Sequence, residues 1–434
     1  MILVKILPLL FIASLSFAQE TSSTMLFGFG KKKPKPPSQP PVRYAQTSTA
    51  VVTTTNTSWH FPAGSDSNSP LVWQGDTLIA FNSAGHPWRS QGGTLFELGK
   101  AERVEYINGN NGGRWMEAVI ADPNQQGVLY GFYHNEPNIE DPTQQEKVGL
   151  CSTAVARPLE AEIDGIIDPN ARRTVPRIGA AISLDSGVSW VDMGIILDVN
   201  PQLLLLGQQC LHSQNAYFIG GHGDFSVIAD KNNQYVFIYF SNYTGLLQDQ
   251  GIGVAYLNWS DLSAASEQVR RILSSPTRDQ ELSRINVHRT TIQAHKYITS
   301  GWNQPGLGGY VSAINPAFAA KRSWHEPVTD VYWGPSVHFN TYLNQYVMLL
   351  NHTVLSNASW KQESVYISFS DAIENPEGWS PPVKLYTGVN WYPQIVGAPS
   401  ERGTDKEAGQ QAYFFLGGNL LGQVRFFKAG EQLP

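Results

Sequence analysis

One pattern recurs along the chain and limits what it can fold into. A polar or acidic start leads into an apolar run, then a polar turn, then a second run rich in aromatics. Trp115–Asp122 leads into Leu129–His134, His222–Asp230 into Tyr235–Phe240, Trp333–Asn340 into Tyr346–Leu350, and Trp391–Gly397 into Ala412–Leu416. A weaker copy, Ser69–Trp73 into Thr77–Phe81, precedes them. Recurring hairpins of this kind point to a radial β architecture, in which stacked neighbours bury what one hairpin cannot. The expected fold class is all-β, a single five-bladed β-propeller. Its innermost strands would face one axis and gather residues far apart in sequence into one pocket.

The N-terminus follows different rules. Lys5, the apolar stretch Ile6–Phe17 and the small-x-small triplet ending at Ala18 read as a secretory signal over residues 1–18. The apolar core is too short to span a bilayer comfortably, and no later segment is apolar enough to cross one. Residues 19–45, with the run Lys31–Pro41, cannot bury a core and read as an extended, disordered Pro/Lys-rich linker. Residues 46–434 remain as one propeller domain. The expected location is secreted or periplasmic.

Charge narrows the ligand. The whole chain has 30 Lys and Arg against 36 Asp and Glu, but six of the bases and one of the acids precede residue 46. The remaining domain has a formal charge of −11. Nucleic acid is disfavoured, because phosphate binding needs a basic footprint. An oligo- or polysaccharide suits such a surface better. Cys151 and Cys210 are the only cysteines; in an exported chain they are expected to form a disulfide, the alternative being two separate buried thiols. Five sequons, at Asn56, Asn242, Asn258, Asn351 and Asn357, would be glycosylated only in a eukaryotic host.

Two local motifs stand apart from the repeat. Ser183-x-Asp185-x-Gly187-x-Ser189-Trp190 matches the Asp-box, a hairpin turn expected on the outside of a blade and given no chemistry. Leu262–Ile272 has helical spacing, capped by Ser260 or Asp261, and is expected as a surface insertion. Residues 137–175 lack periodicity and read as a long loop.

Acids and aromatics concentrate where the predicted inner strands begin. Glu117, Asp224 and Asp330 lie on three different repeats. Glycosidic cleavage needs two carboxyl groups with different tasks, and a third acid helps to set the proton affinity of the first. The expected catalytic set is therefore Glu117 as acid, Asp224 as base, with the two labels exchangeable, and Asp330 as modulator or substrate anchor. Asn82, His86, Arg89, His134, Glu136, His222, Trp333, His338, Tyr392 and Gln394 supply the aromatic faces and planar polar groups of a sugar site. No histidine pair has the spacing of a zinc motif, so no metal is expected in the chemistry. No cofactor is expected either, apart from a possible structural calcium ion in the central channel. No Gly-x-Ser-x-Gly elbow marks a serine hydrolase.

At these hairpins the chain resembles the five-bladed propeller glycoside hydrolases, families 43, 32 and 117, over about residues 60 to 428. The resemblance lies in the hairpin rhythm and the acid positions. It implies hydrolysis of a neutral-sugar glycosidic bond, with inversion. The Asp-Pro pair that opens family 43 has no counterpart; Asp66 and Asp76 are the nearest acids, and neither precedes a proline. The Asp-box instead resembles the six-bladed sialidases, whose early Arg-Ile-Pro is missing. A non-catalytic glycan- or protein-binding propeller and a sialidase-like exo-hydrolase are the alternatives.

Overall fold

The computed structural model describes residues 45–108, 113–136, 161–163, 166–168, 174–204, 218, 220–285, 292–324, 328–356, 362–398 and 402–434. The signal stretch, nearly all of the linker, Cys151, Cys210 and most of the loop after residue 136 lie outside the described residues.

Five sheets follow one another in sequence, each read from its innermost strand outward. Blade 1 is Leu71–Gln74, Thr77–Ser83, Pro87–Gly92 and Glu102–Arg103. Blade 2 is Gly113–Ala121, Leu129–Glu136, Arg177–Ser183 and Ser189–Leu197, with Glu105–Tyr106 added in parallel at its edge. Blade 3 is His222–Ala229, Tyr235–Asn242, Gly251–Asn258, Ala294–Ile298 and Gly301–Pro305. Blade 4 is Val328–Asn340, Gln345–Ser356, Ser364–Ser370 and Val383–Tyr386, and Glu407–Ala408 pairs in parallel with its innermost strand. Blade 5 is Pro393–Gly397, Gln411–Leu416 and Asn419–Phe427, completed on the outside by Thr49–Thr54 from the start of the domain. The fold is a five-bladed β-propeller, and each sequence repeat supplies the two innermost strands of one blade.

Borrowing its last strand from the N-terminal end closes the ring and leaves no open seam between first and last blades. Side chains lock the same seam. Gln394 of blade 5 accepts from Ser69 N at 3.0 Å and donates to Ser69 O at 2.7 Å. Asp405 Oδ1 accepts from Leu71 N at 2.8 Å. Each neighbouring pair of blades shares one apolar layer. Phe132 and Ile178 meet Phe225 and Phe240 between blades 2 and 3, and Tyr239 meets Val337 and Trp379 between blades 3 and 4.

The helix is Trp259–Leu273, and it is more than a surface insertion. Its stripe Leu262, Ala265, Val269 and Ile272 is buried in the layer between blades 2 and 3. A second helix, Arg278–Arg284, adds Leu282 to that layer. Ser183–Trp190 is the hairpin between the third and fourth strands of blade 2. There Asp185 accepts from Ser189 N at 2.9 Å and from Ser189 Oγ at 2.6 Å, over the buried Trp190. No helix of the described residues is long and apolar enough to cross a membrane.

Candidate active site

Three innermost strands carry a β-bulge. In blade 2 Met116 pairs with Tyr133 and Ala118 with Phe132, so Glu117 is the extra residue. In blade 3 Gly223 pairs with Ser241 and Phe225 with Phe240, so Asp224 is the extra residue. A bulge interrupts the alternation of a strand and re-aims the side chain it carries. Both acids are buried, at 1% and 6% relative exposure. Asp224 has φ +38°, and such a backbone is typically worth about 1–3 kcal/mol of strain held by its surroundings.

The two bulges meet through one imidazole. His134 Nδ1 lies 3.3 Å from Glu117 Oε1 and 3.9 Å from Asp224 Oδ1. Glu136 Oε1 is 3.3 Å from His134 Nε2. The outer oxygens are already satisfied. Phe225 N, freed by the blade 3 bulge, donates to Glu117 Oε2 at 2.7 Å, and the Tyr243 hydroxyl donates to Asp224 Oδ2. Ligand-type atoms of Glu117, His134 and Asp224 all lie within 4.8 Å of one another.

Burial dominates the protonation of the two acids. Arg114, three residues before Glu117, is spent on Asp192 inside blade 2, where Tyr133 also donates to that carboxylate at 2.6 Å. Burial, opposed by the Phe225 N–H and reinforced by the charge of Asp66, pushes Glu117 up to about 8. Burial and then the Glu117 charge push Asp224 up to about 7, against His134 and Tyr243. The pair titrates as a unit, and at neutral pH it retains a proton.

A third acid stands at the rim. Asp66 precedes the inner strand of blade 1, and its N–H bonds Ser83 O at 2.7 Å. Its side chain keeps contact with solvent, while the flanking walls dehydrate it enough to raise its pKa; Trp115, His134 and Tyr392 oppose that rise. An aromatic wall runs around the acids. Trp115 lies 5.7 Å from His134, Phe218 4.8 Å from Tyr243, Tyr243 5.2 Å from Trp324, and Trp333 6.1 Å from both Trp324 and Tyr392. Beneath the acids, Asn68 crosses the axis and donates to Phe225 O at 3.2 Å and Pro335 O at 3.3 Å. A cavity of about 470 Å³ at the opposite end of the inner strands, lined by Trp73, Lys231, Phe339 and Arg402, contains none of these three acids.

The structure brings together Glu117, Asp224, His134, Glu136, Trp333 and Tyr392, and it places the other predicted residues elsewhere. Asp330 lies on the extension of the blade 4 strand before its bulge. There it contacts His352 Nε2 at 3.2 Å, and His352 Nδ1 contacts Glu363 at 3.3 Å. The blade 4 bulge falls between Trp333 and Ser336, at Gly334-Pro335, and carries no acid. His222 points away into blade 3, 3.0 Å from Lys296 Nζ. Lys296 is held down to about 7 by burial and also donates to Asp198 O and Gly309 O. His338 is buried 5.8 Å from Phe426, and burial holds it near 3. Asn82 donates to Ser69 Oγ and Gln394 ties blade 5 to Ser69, so both are structural. Arg89 bonds Ser186 O between blades 1 and 2. His86 is exposed beside Arg103.

The sequence reading missed Asp66 as a site residue, and with it Tyr243, Trp324 and the wall role of Trp115. The one available signal for Asp66 was its place just before an inner strand, the position shared by the other two acids. The spacing also revises the expected division of labour. Inverting acid and base carboxyls stand roughly 6.5–9.5 Å apart. Ligand-type oxygens of Glu117 and Asp224 lie within 4.8 Å of each other, which does not fit these two as the acid and base of inversion. Glu117, His134 and Asp224 are also the residues that would hold a divalent cation if one bound.

No protein-family profile matches the chain, and no curated protein sequence matches it. Solved structures do. An exo-β-1,3-galactanase from Phanerochaete chrysosporium is 9% identical, with 89% of this chain and 67% of that one covered and a TM-score of 0.41. The native arabinanase of Bacillus subtilis is 10% identical over 86% of this chain and 97% of that one, with a TM-score of 0.37. The α-L-arabinanase of Cellvibrio cellulosa is 11% identical over 86% and 95%, with a TM-score of 0.41.

Proposed function

We propose that the chain is a glycoside hydrolase that cleaves a neutral-sugar oligo- or polysaccharide with inversion, outside the cytoplasm. The observation that carries the reading is the convergence of three acids from three blades, two of them buried around a retained proton and one at the solvent-facing rim. Glu117 is the general acid, with Asp224 sharing its proton. Asp66 is the base. Glu117 gives its proton to the leaving glycosidic oxygen as the bond to the anomeric carbon breaks. Asp66 takes a proton from the water that attacks that carbon on the opposite face. The aromatic wall offers stacking surfaces to sugar rings. A neutral sugar is favoured because, among the described residues, the charges acting on the buried pair are those of Asp66, His134 and the two acids themselves. The export signal read at residues 1–18 supports the location.

The test is proton NMR of the first anomer released from a panel of aryl glycosides and plant or algal oligosaccharides. Inversion supports the assignment. Retention moves Asp66 to the role of nucleophile. Binding of oligosaccharides with no release across the panel replaces the hydrolase by a glycan-binding propeller.

A further inference from the structure

We propose that the cavity at the far end of the inner strands from the acids is a binding site for a small carboxylate with an apolar ring body. All five blades contribute to it, through the last residues of their inner strands or the turns that follow: Trp73, Ala121, Ile228, Phe339 and Lys406 stand for one blade each. Its volume, about 470 Å³, is that of pockets that hold small organic ligands. Its walls include the buried strand residues Val72, Val119 and Ile228. Walls of this kind hold a ligand by the apolar surface they take out of water.

The charge of the lining depends on which groups already have partners. Three cations, Lys231, Arg402 and Lys406, line the cavity with two acids, Asp230 and Glu407, in a domain whose formal charge is −11. Lys406 is taken by Asp405 Oδ2 at 2.8 Å. Asp230 is spent on its own turn, where it accepts from Gln234 N at 2.7 Å and Tyr235 N at 2.8 Å. Glu407 is exposed. Lys231 makes no ion pair among the described residues; it donates to the amide oxygen of Asn344 at 3.2 Å. Arg402 pairs with Asp76 at 3.1 Å, but both partners are at the surface, where such a pair holds its charge only weakly.

Lys231 and Arg402 are each seated on an aromatic ring. The Arg402 guanidinium lies 4.5 Å from the centre of the Trp73 ring, across the seam of blades 5 and 1. Lys231 Nζ lies 4.3 Å from the centre of the Phe339 ring, across the seam of blades 3 and 4. The rings hold both charges at the cavity, and one face of each is taken by a cation instead of standing open to a sugar. Arg402 is fixed further by its backbone, φ +52°, a left-handed conformation that the surroundings must hold. The lining also carries donors without acceptors. The Nε1–H groups of Trp73 and Trp259 are buried and have no hydrogen-bond partner among the described residues. An excess of donors over free acceptors selects a ligand rich in acceptor oxygens, and a carboxylate adds the charge that Lys231 and Arg402 attract. The apolar walls then select the ring body.

The experiment is isothermal titration calorimetry of the full chain with naphthylacetate, paired with ¹H–¹⁵N spectra of the tryptophan side chains. Naphthylacetate should bind. Naphthylacetamide keeps the ring and loses the charge, and D-glucuronate keeps the charge and loses the apolar ring; each should bind roughly tenfold or more weakly. Lys231→Gln and Arg402→Gln, both at exposed positions, should each weaken naphthylacetate about tenfold, the usual worth of one charge-assisted hydrogen bond. Arg425→Gln removes a cation from the Phe427 ring, outside the cavity lining, and should leave binding unchanged. The indole N–H signals of Trp73 and Trp259, assigned by Trp73→Phe and Trp259→Phe, should move on binding, while those of Trp115 and Trp333 beside the acids stay in place. No binding at millimolar naphthylacetate, unchanged affinity in both glutamine variants, or movement of Trp115 and Trp333 in place of Trp73 and Trp259 overturns the proposal. Equal binding of naphthylacetamide removes the carboxylate from recognition, and equal binding of D-glucuronate removes the apolar body; either overturns the assigned class of ligand.

Discussion

The innermost strands of blades 3 and 4 differ at one point. Both run beside an aromatic wall, and both carry a bulge. In blade 3 the extra residue is Asp224, turned by φ +38° toward His134. In blade 4 the bulge falls on Gly334-Pro335, where Gly334 N donates to Ser241 Oγ and Pro335 O receives Asn68. One bulge points a carboxyl at the axis. The other braces the ring and leaves its nearest acid, Asp330, to a separate histidine pair on the strand extension. A bulge is therefore the device that either turns a carboxyl toward the axis or braces the ring here, and blade 2 follows blade 3 by placing Glu117 at the same point.

The largest expected effect contrasts these blades directly. Glu117→Gln or Asp224→Asn should lower kcat by about 10²–10⁴, the usual worth of a general acid or base. Asp330→Asn in blade 4 should leave kcat within about threefold, since its pair is a partly exposed one worth roughly 0–1 kcal/mol. Steady-state kinetics on the best substrate of the panel measures both. Equal losses in the three variants would erase the distinction between the blades.

The five hairpins were legible because alternation and turn chemistry are local properties, and each repeat became the inner half of a blade. Glu117 and Asp224 were legible because they stand at the junction of a polar start and an apolar run. What failed was the extension of the same alternation across the bulges. His222 and Asp224 are two apart and would share a face in a regular strand, yet the bulge sends Asp224 to the site while His222 goes to Lys296. His338 was assigned by its repeat, but it lies beyond the blade 4 bulge, against Phe426. Asp66 was hidden because it sits in a serine- and asparagine-rich approach with no periodicity, ahead of the weakest repeat. Gln394 and Asn82 have the polarity of sugar ligands, but ring closure uses them, a long-range need that no window of sequence displays.

Stability gives a second contrast, smaller than the first. A folded-state pKa raised above the ordinary value means that the contribution of Glu117 to stability is present in full below about 4.5 and is lost as pH rises through about 8. Glu117→Gln should therefore be more stable than wild type above pH 8, on the order of 2–5 kcal/mol, while being the less active protein. Urea denaturation at pH 5 and pH 9 checks the sign; an amide variant that loses stability at pH 9 would break the account of a buried acid whose charged form is disfavoured. The smallest effect concerns metal. Because a proton satisfies the Glu117, His134 and Asp224 cluster, dialysis against a chelator should leave kcat/KM unchanged, and a loss restored by a divalent cation would reassign those residues as ligands.

The central claim is that the two bulge-borne acids keep a proton at neutral pH beside an acid that has solvent access. Its most direct test is the ¹³C-carboxyl titration of Glu117 in the wild-type chain, assigned by the resonance lost in Glu117→Gln. The account predicts a Glu117–Asp224 pair that still holds a proton at pH 7 and releases it with a midpoint near 8. A Glu117 carboxyl fully ionised by pH 6, with an ordinary midpoint near 4.5, would contradict it.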